Sequence, residues 1–235
     1  MLARNNNCSQ CVLGQFCLPV GLSASDSDRI DELINVRTPL KKGDYLYRQG
    51  TELEFLYNLR YGALKSELSV VSGNNQVIGF HLPGELLGVD GIAEHIYQSN
   101  AIALEDSVVC VVPFSELETL SHEIPNLQRH LNRVMSREIY QDHRHSHLLG
   151  TLNAEEKFAC LLINFFERFQ QRGHPSQTID LPMSREDMAS YLGIQIETLS
   201  RVISRFVERQ LITIKQRHVE IIDLAKLKKV AENSV

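Results

Sequence analysis

Three of the chain's five cysteines, Cys8, Cys11 and Cys17, fall within ten residues. Cys8-Ser9-Gln10-Cys11 is a C-x2-C pair, a spacing at which two thiolates on a bent chain ligate one metal centre, and Cys17 adds a third ligand from the same short segment. A four-thiolate site needs one more. Cys110 lies in SVVCVVPF, which reads as a strand beside the edge of a β-domain. Cys160 lies in FACLLINFF, an apolar helix where a thiol serves more readily as a small core residue. Cys110 is therefore the favoured fourth ligand, with a place in the core as its alternative role. Four thiolates suit zinc or an iron–sulfur cluster, and spacing does not separate the two. A C-x2-C pair also serves thiol oxidoreductases, but the strand–helix context they need is missing here. His143 and His147 stand at i, i+4 with His145 between them; they are able to chelate a metal, although a polar helix face is the simpler reading.

A second chemistry is written near the C-terminus. Ser184 with Asp187 three residues on reads as the cap of a helix running SREDMASYL, which stops at Gly193. A second helix starts near Ile196 and runs ETLSRVISRFVERQ. Ala189 lets two helices approach, Gly193 permits a left-handed turn, and Leu199 locks the second helix on the first, the spacing of a helix-turn-helix. Leu211–Lys215, a polar turn at Gln216-Arg217 and Val219–Ile222 then read as a wing hairpin. In such a unit the second helix enters the major groove of double-stranded DNA. Glu197, Ser200 and Arg201 at i, i+3 and i+4 share one face. Arg201 suits guanine O6 and N7, Glu197 suits a base amino group, and Ser200 suits a neighbouring base. The plainer reading of Glu197 and Arg201 is an ion pair on a solvated helix. Arg205 and Lys215 are placed for phosphate contacts. The charge agrees locally: the net charge of −5 divides into −6 over residues 1–150 and +1 over 151–235, with five bases and two acids between 197 and 217.

These residues need a scaffold. Residues 1–20 form the cysteine-bearing arm. Residues 23–36 hold a short helix. From Thr38, short apolar runs alternate with turns at Gly43, Gly50, Gly62, 72–75 and Pro83-Gly84, which predicts an antiparallel roll of short strands over 21–115. Helical spacing follows Pro113, so 116–150 is a helical segment with a long helix over 126–149. Its stripe Leu131, Met135, Ile139 and Asp142 is too isolated to be buried by one helix and predicts pairing with a second copy; packing on the chain's own β-domain is the alternative. Residues 151–235 complete a winged helix-turn-helix domain, opened by the capping box Asn153 to Glu156. The fold class is α+β. No apolar stretch reaches the length of a membrane span, and Met1–Asn7 is polar, so the expected compartment is the cytoplasm, with no membrane partner.

Taken together, C-x2-C-x5-C at 8–17, IGFHLPGELLGVDGI at 78–92, SVVCVVPF around Cys110, IPNLQRHLNRVMSREI at 124–139 and YLGIQIETLSR at 191–201 resemble the fumarate–nitrate reduction regulators (FNR), a branch of the cyclic-AMP receptor protein (CRP) superfamily. The resemblance implies a cyclic-nucleotide-binding-like β-roll, a dimerisation helix and a winged helix-turn-helix. It further implies an oxygen-labile [4Fe-4S] cluster on Cys8, Cys11, Cys17 and Cys110, and a homodimer on TTGAT-N4-ATCAA-like DNA while the cluster is intact. Glu197, Ser200 and Arg201 become the base-reading set. Regions near 70–76 and 171–175 correspond to surfaces that touch RNA polymerase. No catalytic constellation is present, so the chain reads as a regulator rather than an enzyme. Val12, bulky and apolar, departs from the pattern after Cys11. The rivals on the same fold respond to zinc, haem or a cyclic nucleotide. For the last, Gly84-Glu85-Leu86 resembles a phosphate turn, but no arginine stands near Gln98-Ser99 to pair the phosphate.

Overall fold

Short β-forming runs punctuated by glycine turns produce two four-stranded antiparallel sheets. The computed structural model describes residues 11, 13, 17, 18, 21–34, 36–69, 73, 75–173 and 176–232. The chain folds as two compact units, 1–141 and 142–235. In the first, helix α1 (Ala24–Leu33) starts at Ser23, whose hydroxyl accepts from the Asp26 amide. Strands β1 (Val36–Leu40), β2 (Tyr45–Tyr47), β3 (Phe55–Tyr61), β4 (Leu64–Leu68), β5 (Gln76–His81), β6 (Leu86–Leu87), β7 (Asn100–Ala103) and β8 (Ser107–Pro113) follow. One sheet has the order β1-β8-β3-β6 and the other β2-β7-β4-β5. This is the expected β-roll. Gly62 makes the β3–β4 turn at φ +88°, and a Cβ there would lie 2.8 Å from the Asp106 carbonyl oxygen, so only glycine fits.

The roll is filled by inward side chains such as Leu56, Leu59, Leu64, Val109 and Val112, all essentially inaccessible to solvent. Tyr47 and Tyr97 stack at 4.0 Å within it, and the Tyr97 hydroxyl donates to the Phe55 carbonyl. Helix α2 (Phe114–Glu123) ends at Ile124, and α3 (Pro125–Thr151) begins at a proline, which suits a first helical position. The segment read as one helical stretch is thus two helices. On α3, Leu127, His130, Leu131 and Val134 face the roll at i, i+3, i+4 and i+7, with Leu127 fully buried and Leu131 and Val134 packed against the core.

The second unit holds the end of α3, α4 (Ala154–Gln171), β9 (Thr178–Asp180), α5 (Arg185–Leu192), α6 (Ile196–Glu208), β10 (Ile212–Lys215), β11 (His218–Ile221) and α7 (Leu224–Glu232). Asn153 and Glu156 form the expected capping box of α4. The buried Lys157 donates to the Leu149 carbonyl and so satisfies a group left open at the end of α3. Phe158 and Phe206 meet edge to face at 5.2 Å and join α4 to α6. Among the described residues no helix is long and apolar enough to cross a membrane.

Candidate functional site

The first site is built around β8. Cys110 occupies the fourth position of this strand and is 8% exposed. The strand lies beside the sheet's edge, as its sequence suggested: the edge strand β1 pairs on one side and β3 on the other. Continuous apolar runs suit an interior strand, and this one is closed in by partners some fifty to seventy positions earlier, which local pattern cannot reveal. Across the β1 register Arg37 faces Cys110 and hydrogen-bonds its sulfur. Cys17 reaches the same region from the N-terminal segment, where the Cys17 amide donates to the Leu13 carbonyl at 3.1 Å and Leu18 anchors the turn in the core at 1% exposure.

Burial pushes the Cys17 thiol up to about 12, and Cys110 and Cys11 lie near enough to raise it further while Arg60 pulls it down. Burial also raises Cys110, against the opposing pull of Arg37 and Arg60 and with a contribution from Cys11. Cys11, Cys17 and Cys110, drawn from two remote segments, are therefore within charge–charge range of one another. Cys8 lies outside the described residues. Among those described, no three His, Cys, Asp or Glu side chains stand close enough to hold a single metal ion, and Cys11, Cys17, Cys110 and Cys160 are all free thiols. Cys160 sits in α4 with Arg144 and Glu156 as its charged neighbours, not the other thiols. This donor set, three soft sulfurs with two guanidinium groups nearby, fits a polythiolate centre that carries net negative charge.

The phosphate turn expected of a cyclic-nucleotide site is occupied by its own polar groups. The Glu85 carboxylate accepts from the Leu82 amide at 3.0 Å, Ser99 donates to Asp90 at 2.7 Å, and Gln98 donates to the Ile96 carbonyl. A cavity of about 70 Å³ touches Gly84, Glu85, Asn58 and His130, whereas small-molecule sites run to about 300 Å³ or more.

The second site is the helix-turn-helix. Ser184 and Asp187 exchange the expected capping hydrogen bonds, and Gly193 closes α5 at φ +60°. Helix α6 buries Leu199, Val202, Ile203 and Phe206 and turns Glu197, Ser200 and Arg201 outward. Arg201 Nε donates to the Glu197 backbone carbonyl at 3.3 Å rather than to its carboxylate, and Ser200 donates to the Ile196 carbonyl. The simple ion-pair reading of Glu197 and Arg201 therefore fails, and the polar ends of both side chains remain available to a ligand. Strands β10 and β11 form the wing, with Gln216 at φ +55° in its turn. The wing is three-stranded, since β9 pairs with β11.

Three basic residues do not sit as their positions suggested. Arg217 donates to the carbonyls of Leu181 and Pro182, so it fastens the wing to the loop before α5. Arg205 and Arg209 both pair with Glu155, at 3.1 and 2.9 Å. Lys215 is exposed, as is Arg201.

On α3, Leu131 and Met135 are half-buried, Ile139 is 56% exposed and Asp142 is exposed. Leu131 packs on the roll, and the C-terminal members of the stripe are uncovered in the single chain. The histidines divide as well. His145 Nε2 lies 2.8 Å from the Tyr191 carbonyl oxygen, and its ring stacks on Tyr191 at 4.2 Å. His147 pairs with Thr151, and His143 is exposed. The stack fixes the last turns of α3 against α5. Burial holds the His145 pKa below its ordinary value. Its folded pKa is thus lower than its unfolded one, so its contribution is present above the unfolded value of about 6.5 and is lost as pH falls through that range. Thermal unfolding followed from pH 7 to 5 should show a fall in midpoint that is smaller in His145→Gln. Equal slopes would remove His145 as a cause.

A β-roll, a long helix and a winged helix-turn-helix with a row of outward polar residues on its second helix define a DNA-binding transcription regulator. Comparison with known proteins places it further. Residues 37–123 match the cyclic nucleotide-binding domain family and residues 156–230 the Crp-like helix-turn-helix domain family. The transcriptional regulatory protein btr of Bordetella pertussis is 42% identical over 95% of this chain and 93% of its own. The transcriptional activator protein anr of Pseudomonas aeruginosa is 41% identical over 94% and 91%, and the fumarate and nitrate reduction regulatory protein of Vibrio cholerae 38% over 96% and 90%. Among solved structures, FixK2 from Bradyrhizobium japonicum superposes with a TM-score of 0.77 at 26% identity, covering 83% of this chain and 96% of its own. The chain belongs to the CRP/FNR family of transcription regulators, as an FNR-type member; its relatives are named as transcription regulators, not enzymes.

Proposed function

We propose that this chain is an oxygen-sensing transcription regulator. In this reading Cys8, Cys11, Cys17 and Cys110 hold a [4Fe-4S] cluster, and DNA binding as a homodimer depends on it. The bound cluster supplies an inorganic centre that reacts with oxygen. The observation that carries the reading is the convergence of Cys11, Cys17 and Cys110, with Arg37 directly opposite Cys110 in the sheet. The FNR-type relatives support the same assignment. The chain's own contribution is structural. Leu18 holds the cysteine-bearing segment in the roll, and β8 presents Cys110 from an interior position that does not yield. The working division is an arm at 1–20, a sensory roll at 21–115, a dimerisation segment at 116–150 and a DNA-binding domain at 151–235.

Glu197, Ser200 and Arg201 are proposed to read TTGAT-N4-ATCAA-like half-sites in genes of anaerobic metabolism, with activation or repression set by where the site falls. RNA polymerase is the proposed second partner, through the regions near 70–76 and 171–175; residues 70–72, 74, 174 and 175 lie outside those described. The cytoplasm is the compartment such work requires. Anaerobic purification tests the reading. A brown protein containing iron and acid-labile sulfide that bleaches in air, and loses DNA binding as it does so, supports it. A colourless zinc protein, or one that binds DNA equally in air, overturns it in favour of a regulator with another effector.

Leu131, Met135, Ile139 and Asp142 are the proposed dimer contacts. Asp142 is hydrated in the single chain, and bringing it against its symmetry mate sets two carboxylates together at a cost of about 2 kcal/mol. Asp142→Ala is therefore expected to tighten the aerobic dimer by roughly tenfold or more, read by analytical ultracentrifugation. An aerobic monomer would remove Asp142 from the interface.

A further inference from the structure

Arg201, Arg205 and Arg209 follow one another at i, i+4 and i+8 and so form one row along α6. They differ in what they hold. Arg201 has its guanidinium on a backbone carbonyl of its own helix. Arg205 and Arg209 instead converge on Glu155 in the first turn of α4, one on each carboxylate oxygen, Oε1 at 3.1 Å and Oε2 at 2.9 Å. The three arginines, Glu155, Asn153 and Thr198 line a single concave face of about 680 Å³. A bidentate carboxylate gripped by two guanidinium groups has the shape and charge of a bound phosphate.

A duplex that receives the first turns of α6 in its major groove must carry a phosphate strand along the flank of that helix, where Arg205 and Arg209 project. The Glu155 pairs are partly exposed, with the carboxylate side chain at 27% and the arginines at 61% and 49%. Pairs of that kind are individually weak, so a polyanion can replace the carboxylate. We propose that Glu155 is a built-in competitor for the DNA backbone: it occupies Arg205 and Arg209 in the free protein and is displaced by a phosphate when the duplex docks. Because Arg201 takes no part in the pairing, the competitor lowers sequence-independent affinity and leaves base reading intact. Glu155 thus sets affinity for the duplex without touching a base.

The test is Glu155→Gln, which keeps the size and acceptor oxygen of the side chain and removes its charge. Binding to a fluorescent duplex of random sequence is followed by anisotropy between about 50 and about 200 mM salt, the range over which phosphate contacts dominate. Freeing two arginines is expected to raise affinity at the low-salt end by about tenfold with a log–log salt slope close to that of wild type, since the same phosphates are contacted in either complex. Affinity for a specific site should rise by the same factor, because the pairs must break in either complex. Unchanged or weaker affinity overturns the proposal and leaves Glu155 as a staple between α4 and α6. Should Glu155→Gln fail to fold, the pair Arg205→Gln with Arg209→Gln decides. A shallower slope than wild type places these arginines on phosphates in the complex, and an identical slope refutes it.

Discussion

Replacing Cys110 with serine is expected to abolish iron and sulfide incorporation in anaerobically prepared protein while leaving the fold intact. The proposed ligand set draws three thiols from one short segment and one from β8, the strand that supplies the fourth sulfur from the roll itself. Cys110 cannot be replaced from nearby: β8 is paired on both sides, and the cysteine's partners across the sheet are Arg37 and Asn58. Serine is nearly the same size, and Arg37 is placed to donate to its oxygen as it does to sulfur. The exchange should therefore cost only about 1 kcal/mol of stability, visible as a small shift in thermal midpoint. DNA binding tells more. A protein that no longer pairs reads one half-site at a time and forgoes the gain of a linked second contact, about 10²–10⁴-fold. Cys160→Ser, whose charged neighbours are Arg144 and Glu156, should retain iron, sulfide and DNA binding alike. Full metal content in Cys110→Ser would end the cluster assignment, and the DNA-binding assignment would survive it.

The roll was legible because its turns are written in glycine at intervals that leave room for strands alone; Gly43, Gly50, Gly62 and Gly84 all adopt positive φ. The helix-turn-helix was legible for a similar reason, since Ala189, Gly193 and Leu199 each meet a steric demand that few other residues satisfy. What was not legible is pairing over distance. The apolar run around Cys110 reads as a strand beside the edge, but nothing local says that its two neighbours are β1 and β3. Strand β9 spans three residues, Thr178–Asp180, too few to show alternation.

Charge was the least legible property. Counting bases between 197 and 217 credits Arg205, Arg209 and Arg217 to a DNA-contacting surface. In the structure Arg217 is committed to carbonyls 35 and 36 positions earlier, and the other two to Glu155, 50 and 54 positions earlier. A long flexible side chain finds its partner in space, and sequence spacing limits that choice only within a helix. The same freedom explains the stripe on α3. The face that packs on the roll is Leu127, Leu131 and Val134, of which the stripe shares Leu131 alone, and cover runs out between Leu131 and Ile139.

Arg201→Ala is expected to remove most sequence preference at one base pair of each half-site, at a cost of about 1–3 kcal/mol per half-site. Among the described residues Arg201 makes no ion pair with Glu197 or Glu155; its hydrogen bond to the Glu197 carbonyl at 3.3 Å comes from Nε and leaves both terminal nitrogens to grip a guanine edge. Its Cα is on the second turn of α6, on the outward face that the buried Leu199, Val202, Ile203 and Phe206 hold in place from behind. Alanine keeps the helix and removes only the reader, so the thermal midpoint should be unchanged. Lysine restores charge but not the planar fork, and should recover affinity for random duplex without recovering preference. That separation is the decisive reading: binding to a panel of single-base variants of the half-site should flatten at one position in Arg201→Ala and stay flat in Arg201→Lys. If instead both variants weaken binding uniformly across the panel and flatten the salt dependence, Arg201 is a phosphate contact, and the base-reading face of α6 must be sought in Glu197 and Ser200 alone.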